Sequence, residues 1–376
     1  MVTSNPILFT IICVFALQAI LLSGLIAFKR PNRLANIFLA LLVFFYALMA
    51  LNIVLVNVLK DKGLLDVFRY IQMEMIYGIG PSLFFYTKCI TNPKFAFRKE
   101  HYLHFLPLFL EFVFYRTAIY RIGSDGLYLD ELPLYSYIYL TEQWIGVLSI
   151  LLYSVTSLAL IIKYQNQLKN YYSKIENLSL RWLQLPIIVY AGYWIIWNIL
   201  TEVDRFVFDK GLREYYFLPN FVILAILTCW IGFRGYIQKE RDVVQIKPIP
   251  KRVAVERGAK DEAFLAQLKN VMNTEKPYLN PDLNLLILAE AMHLKPKQLS
   301  SKINQHCNQN FYDLINSYRV EAFKQRLQSS ERDKLSLLGH AYECGFYSKS
   351  TFNHVFKKMT QLTPSEYLRK SKKTSK

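Results

Sequence analysis

Cysteine is scarce and scattered: the five in 376 residues, Cys13, Cys89, Cys229, Cys307 and Cys344, include no CxxC pair. That spacing supports neither a disulfide framework nor a zinc site, and cysteines in apolar or helical stretches serve as small hydrophobes. The six histidines form no HExxH motif and no Cys/His pairing, so nothing points to a metalloenzyme. A Gly-rich phosphate loop and a paired-carboxylate motif are also missing. The expectation is therefore a protein that is not an enzyme and carries no cofactor or metal. Cations are lacking before the first apolar run, and no small-residue cleavage site follows it. Being longer than a signal-peptide core, that run reads as a retained membrane helix.

What the chain has in excess is apolar and aromatic residues: 53% hydrophobic, with 26 Tyr and 26 Phe, more than an ordinary soluble domain uses. Uncharged apolar runs fall at 6–28, 34–59, 143–162, 182–201 and 215–233, each long enough to cross a hydrocarbon core of ~30 Å. Two further segments, about 70–87 and 102–119, are apolar but enclose Glu74 and Glu111, and bring the expected spans to seven. Loop charges fit that number. Lys29, Arg30 and Arg33, then Lys88, Lys94, Arg98 and Lys99, then Lys163, Lys169, Lys174 and Arg181, then Arg234, Lys239 and Arg241 follow every second span, whereas the alternate loops offset their cations with Asp and Glu. Cation-rich short loops stay cytoplasmic, so the N-terminus is expected outside and the C-terminal part in the cytoplasm of a cell whose inner membrane holds the bundle.

Ionisable side chains at membrane depth face a bundle interior or a wet cavity. Glu74, Glu111, Arg116 and Glu142 are therefore candidates for binding a signal, a small molecule or a protein. The plainer reading is that Glu74, Arg116 and Glu142 reach headgroup water from helix ends, which leaves Glu111 as the central group in need of a partner. Trp144, Trp182, Trp194 and Trp197 read first as interface anchors or packing residues.

The net charge of +17 is uneven: 26 Lys and Arg against 14 Asp and Glu lie in residues 234–376, so +12 sits there and +5 in the rest. A basic half after an apolar half suggests an anionic partner such as nucleic acid. Residues 235–260 read as a linker, with "KPIPKR" at 247–252. An amphipathic helix follows at about 261–273, with Phe264, Leu265, Leu268 and Met272 at helical spacing.

Beyond it the pattern is of two helix-turn-helix units joined by a long helix. In the first, Asn280 or Asp282 is placed to cap a helix over 283–292, and a second helix starts at Pro296 with Leu299 and Ile303 inward. Lys297, Ser300, Ser301 and Asn304 lie roughly opposite and are suited to phosphates or base edges. The linking helix, about 311–328, would span ~27 Å, near the ~34 Å of one DNA turn that separates successive major grooves. The second unit repeats the plan: Leu335, Leu337, Leu338 and Ala341 on one helix, then Ser348 capping another with Phe352, Val355 and Phe356 inward. Lys349, Ser350, Asn353, His354 and Lys357 face out. A Lys/Ser/Asn face is commonly just solvated, but two such faces at matching offsets, in a segment with 17 Lys and Arg against 8 Asp and Glu over 276–376, favour DNA contact.

The stretches "AEAMHLKPKQLSSKINQHCNQNFYDLINSYRVEAFKQRL" and "AYECGFYSKSTFNHVFKKMTQLTPSEYLRK" resemble the C-terminal domain of AraC/XylS-type transcription regulators over about 278–370. Gly345, Phe346, Ser348, Phe352, Phe356, Lys357, Pro364 and Tyr367 carry the resemblance. The segment "GPSLFFYTKCITNP" is similar to one in membrane-embedded members with seven N-terminal helices. The resemblance implies sequence-specific promoter binding through the helices starting near Pro296 and Ser348, under a sensory N-terminal half. Two departures stand out: Lys295 where such proteins carry a capping Ser or Thr, and His340 where they carry an aliphatic residue.

The expected fold is thus all-α: a polytopic transmembrane helix bundle (1–234), a linker (235–260) and a DNA-binding domain (261–376) with two helix-turn-helix units joined by a long helix. Expected partners are double-stranded DNA, the lipid bilayer, an unidentified signal and, as a further candidate, a second copy of the chain. The amphipathic helix at 261–273 is expected to pack on the DNA-binding domain, with the 235–275 segment carrying the signal. The alternative is a membrane transporter or enzyme with a basic regulatory tail.

Overall fold

The computed structural model describes residues 6–30, 32–61, 75–111, 133–209, 211–237, 261–329 and 334–374. Among them the chain is helical without strands, and it divides into two compact units: 1–162 with 180–245, and 163–179 with 246–376.

The first unit holds α1 (Pro6–Phe28), α2 (Arg33–Asp61), α3 (Ile76–Thr91), the short α4 (Leu106–Leu110) after a 3-10 turn (Lys99–Phe105), α5 (Pro133–Leu168) as far as Ile162, α6 (Arg181–Val207) and α7 (Arg213–Ile237). Five of these, α1, α2, α5, α6 and α7, are long and apolar enough to cross a membrane. The expected third and fourth spans are described only in part, as α3 and as the 3-10 turn with α4.

Close helix packing explains several small residues. A Cβ on Gly232 would come within 2.7 Å of Leu22, and one on Gly235 within 2.3 Å of Leu39, so α7 approaches its neighbours where side chains are smallest. Several polar groups between helices are paired. Ser23 Oγ donates to the Ala40 carbonyl at 2.8 Å, and the Tyr190 and Thr228 hydroxyls share a 2.7 Å bond. Trp144 Nε1 donates to Glu202 at 2.9 Å, while Gln143 joins Asn198, Thr201 and Arg205 in the same network. Val14, Leu17, Leu21 and Leu25 of α1, and Leu148, Leu152 and Val155 of α5, are exposed, apolar faces of a kind that water does not favour.

The second unit begins with α8 (Glu262–Thr274), capped by Asp261, whose carboxylate accepts the Phe264 N–H at 3.0 Å. A 3-10 turn (Pro277–Leu279) leads to α9 (Leu285–Ala291), α10 (Pro296–His306), α11 (Phe311–Gln328), α12 (Leu337–Glu343), α13 (Lys349–Thr360) and α14 (Pro364–Thr374). Phe264, Leu268, Val271 and Met272 of α8 share one core with Leu285, Leu288, Leu299, Ile303, Phe311 and Ile315. The amphipathic helix thus packs within the second unit. A second apolar cluster is aromatic: the Phe323 ring lies 4.7 Å from Phe352 and 5.4 Å from Phe356, and Phe356 meets Tyr367. Residues 163–179, expected as a loop of the membrane domain, belong to this unit. The expected linker lies outside the described residues from position 238 onward.

Candidate nucleic-acid interface

Each helix-turn-helix is set by its caps and its turn. In the first unit the cap of α9 is Asn284, which accepts the Leu286 and Ile287 N–H groups at 2.9 and 3.1 Å; neither Asn280 nor Asp282 has this role. Helix α10 starts without a side-chain acceptor from Lys295, since an ammonium has no lone pair to offer. Pro296 needs no partner at a first helical position, and Gln298 reaches back to accept the Lys295 N–H at 3.3 Å. In the second unit Ser336 caps α12 through the Gly339 N–H at 3.1 Å, and Ser348 caps α13 through the Thr351 N–H at 3.2 Å.

The turn of the second unit depends on Gly345. Its φ is +87°, a left-handed conformation that costs other residues energy. A Cβ there would also lie 2.3 Å from the Tyr278 carbonyl oxygen. That same oxygen accepts from Arg319 Nε at 2.8 Å. Arg319, on α11, is 2% exposed, and its fork also reaches the Asn280 carbonyl at 2.8 Å, Ser173 Oγ at 3.2 Å and Asn316 Oδ1 at 3.3 Å. Burial pushes the guanidinium down from its ordinary value to about 10, which still leaves it charged at neutral pH. Arg319 thus ties together the turn before the first unit, the linking helix and the 163–179 segment.

The expected outward residues divide. On α13, Lys349, Ser350, Asn353, His354 and Lys357 are all exposed and share one surface, while Phe352, Val355 and Phe356 are buried. On α10, Lys297 and Asn304 are exposed and Ser301 is half-buried. Ser300 is only 1% exposed, so its hydroxyl is not on the outward face. The physical reason is rotation: one position past Leu299 is only about 100° around a helix with 3.6 residues per turn, and the buried arc of α10 is wide enough to include it. Asn304 spends an amide N–H on the Ser300 carbonyl at 2.8 Å. His340 lies in the core at 0% exposure beside Ala341, and Leu335, expected on the apolar face, is 44% exposed.

Of the candidate signal-binding residues, Glu74 and Arg116 lie outside the described residues. Glu111 is buried at 6% exposure. Glu142 is half-buried, its backbone carbonyl accepting from the Tyr77 hydroxyl at 3.2 Å. A cavity of about 10 Å³ among Phe15, Tyr46, Phe221 and Thr228 involves neither glutamate and has room for about one water.

Side-chain caps at Asn284, Ser336 and Ser348, the turn at Gly345 and two outward polar faces around one linking helix define a tandem helix-turn-helix domain. Residues 288–370 match the sequence profile of a family described as a helix-turn-helix domain. The match, of the AraC type, supports a DNA-binding transcription regulator and, with it, double-stranded DNA as a partner. It covers less than a quarter of the chain. No curated protein and no solved structure gives a significant match.

Proposed function

We propose that this protein is a membrane-embedded transcription regulator of the AraC type, which binds promoter DNA sequence-specifically through α10 and α13 while its N-terminal half stays in the cytoplasmic membrane. The observation that carries the reading is the exposed face of α13: Lys349, Ser350, Asn353, His354 and Lys357 together on a capped helix inside the matched segment. Cationic and amide side chains on one helix face supply phosphate contacts and base-edge hydrogen bonds respectively. Lys297, Ser301 and Asn304 of α10 are the corresponding candidates in the first unit.

Five long apolar helices with exposed aliphatic faces support the bilayer, because in lipid those faces need no aqueous cover and helical backbone groups pair internally. The alternation of loop charge supports seven spans, an external N-terminus and a cytoplasmic reader. A signal taken up by the bundle, with Glu74, Glu111, Arg116 and Glu142 as the candidate groups, would set the reader's activity, and a second copy of the chain would suit paired DNA sites.

The test is a mobility-shift titration of the full chain in lipid nanodiscs against fragmented genomic DNA, at several salt concentrations. Fragment-selective binding that weakens steeply with salt is expected. Weak binding indifferent to sequence would overturn the reading and favour a transporter or enzyme with a basic tail.

A further inference from the structure

The segment that joins α5 to α6 is built into the DNA reader. Lys169 and Tyr171 offer backbone carbonyls to the Tyr312 and Leu285 N–H groups at 2.8 and 2.9 Å. Both donors belong to first turns, of α11 and α9, where N–H groups have no partner within the helix. Tyr172 pairs antiparallel with Asn284, and Ser173 bonds the Leu283 carbonyl through its hydroxyl at 2.5 Å while accepting from Arg319. Lys174 pairs with Asp282 at 3.0 Å and lies 3.2 Å from the centre of the Tyr347 ring. Residues 169–174 are therefore an anchor.

Glu176 differs. One carboxylate oxygen accepts from the Thr351 hydroxyl in the first turn of α13. The other is buried and has no hydrogen-bond partner among the described residues, an arrangement that costs stability. A carboxylate held at that place occupies the positive end of the helix dipole, the end that attracts a DNA phosphate.

We propose that residues 169–176 form an autoinhibitory latch: the anchor docks the segment on the reader, and Glu176 competes with DNA for the start of α13. The segment is continuous in sequence with α5 and α6, so a movement of those helices would withdraw Glu176 directly, without acting through 235–275. The inference rests on the regulator reading above.

It is tested by DNA affinity of the full chain in nanodiscs of phosphatidylcholine, with a genomic fragment selected by the wild type as probe. Glu176→Gln should bind about 2- to 5-fold more tightly than wild type, and more tightly than Glu343→Gln, which removes the same charge from the exposed side of α12. Lys174→Met loosens the anchor from Asp282 and Tyr347. It should also tighten binding, although loss of a cation by itself weakens DNA binding. Weaker binding by Lys174→Met, or Glu176→Gln no tighter than Glu343→Gln, overturns the latch alone. No selective binding by any of the proteins, wild type included, overturns the regulator reading and the latch with it.

Discussion

Arg319 and Gly345 meet at one atom: the Tyr278 carbonyl oxygen that accepts from Arg319 Nε at 2.8 Å would lie 2.3 Å from any Cβ added to Gly345. The second helix-turn-helix is thereby held against the chain that leads into the first. Gly345→Ala adds a steric clash with backbone to a φ of +87°, and is expected to cost about 3 kcal/mol or more. Denaturant unfolding followed by tryptophan-independent probes in the reader, such as amide exchange of α13, checks it. Retention of wild-type protection would contradict the packing described.

Arg319→Met leaves the Tyr278 and Asn280 carbonyls without their buried donor. Each buried acceptor left unpaired costs roughly 1–3 kcal/mol, and Arg319→Lys should restore only part of the loss because an ammonium lacks the planar fork. The measurement is the midpoint of reader unfolding in the full chain. A midpoint unchanged in Arg319→Met would show that the network contributes little.

The two recognition helices predict different responses to substitution. Lys349→Ala and Lys357→Ala should each weaken DNA binding on all sequences and lower the salt slope by about 1, whereas Asn353→Ala should relax base preference at a cost of roughly 1–3 kcal/mol. Ser300→Ala, at a position 1% exposed, should leave the salt slope unchanged. A loss with Ser300→Ala as large as with Lys297→Ala would mean that α10 turns a different face to DNA.

Much of this reader was legible in sequence because local rules set it. The limits of α11, Phe311–Gln328, follow from Asn310, which accepts the Asp313 N–H at 2.8 Å, and from an apolar stripe of helical period. Ser348 announced the second unit as a helix cap, and Gly345 carried the family resemblance. Arg319 was harder to recognise: it stands four residues after Ile315 and four before Phe323, on the inward stripe, but its partners come from residues 173, 278 and 280. The role of 163–179 was not legible for a related reason. Its lysines fit a cytoplasmic loop equally well, and the hydrogen bonds that dock it join residues more than a hundred positions apart.

Acid should loosen the join between α8 and α10. The Asp261 carboxyl is held below its ordinary value of 3.8, first by the hydrogen bond from Lys302 and then by the Phe264 N–H. A folded-state value below the unfolded one contributes stability above about pH 3.8, and that contribution is lost as pH falls through the lower folded value. Glu366, held down first by the Thr363 N–H and then by the Thr363 hydroxyl, acts in the same direction on α14. Asp261→Asn should therefore flatten the acid limb of reader stability below about pH 3.8. An identical acid limb in wild type and variant would assign it to other groups.

The most direct test of the central claim is a chemical footprint of the nanodisc-held chain on a selected promoter fragment. The account predicts protection in two successive major grooves on one face of the duplex, about one helical turn or ~34 Å apart, one lost with Lys297→Ala and the other with Lys349→Ala. A single protected groove, or protection that neither substitution alters, would contradict reading by paired helices.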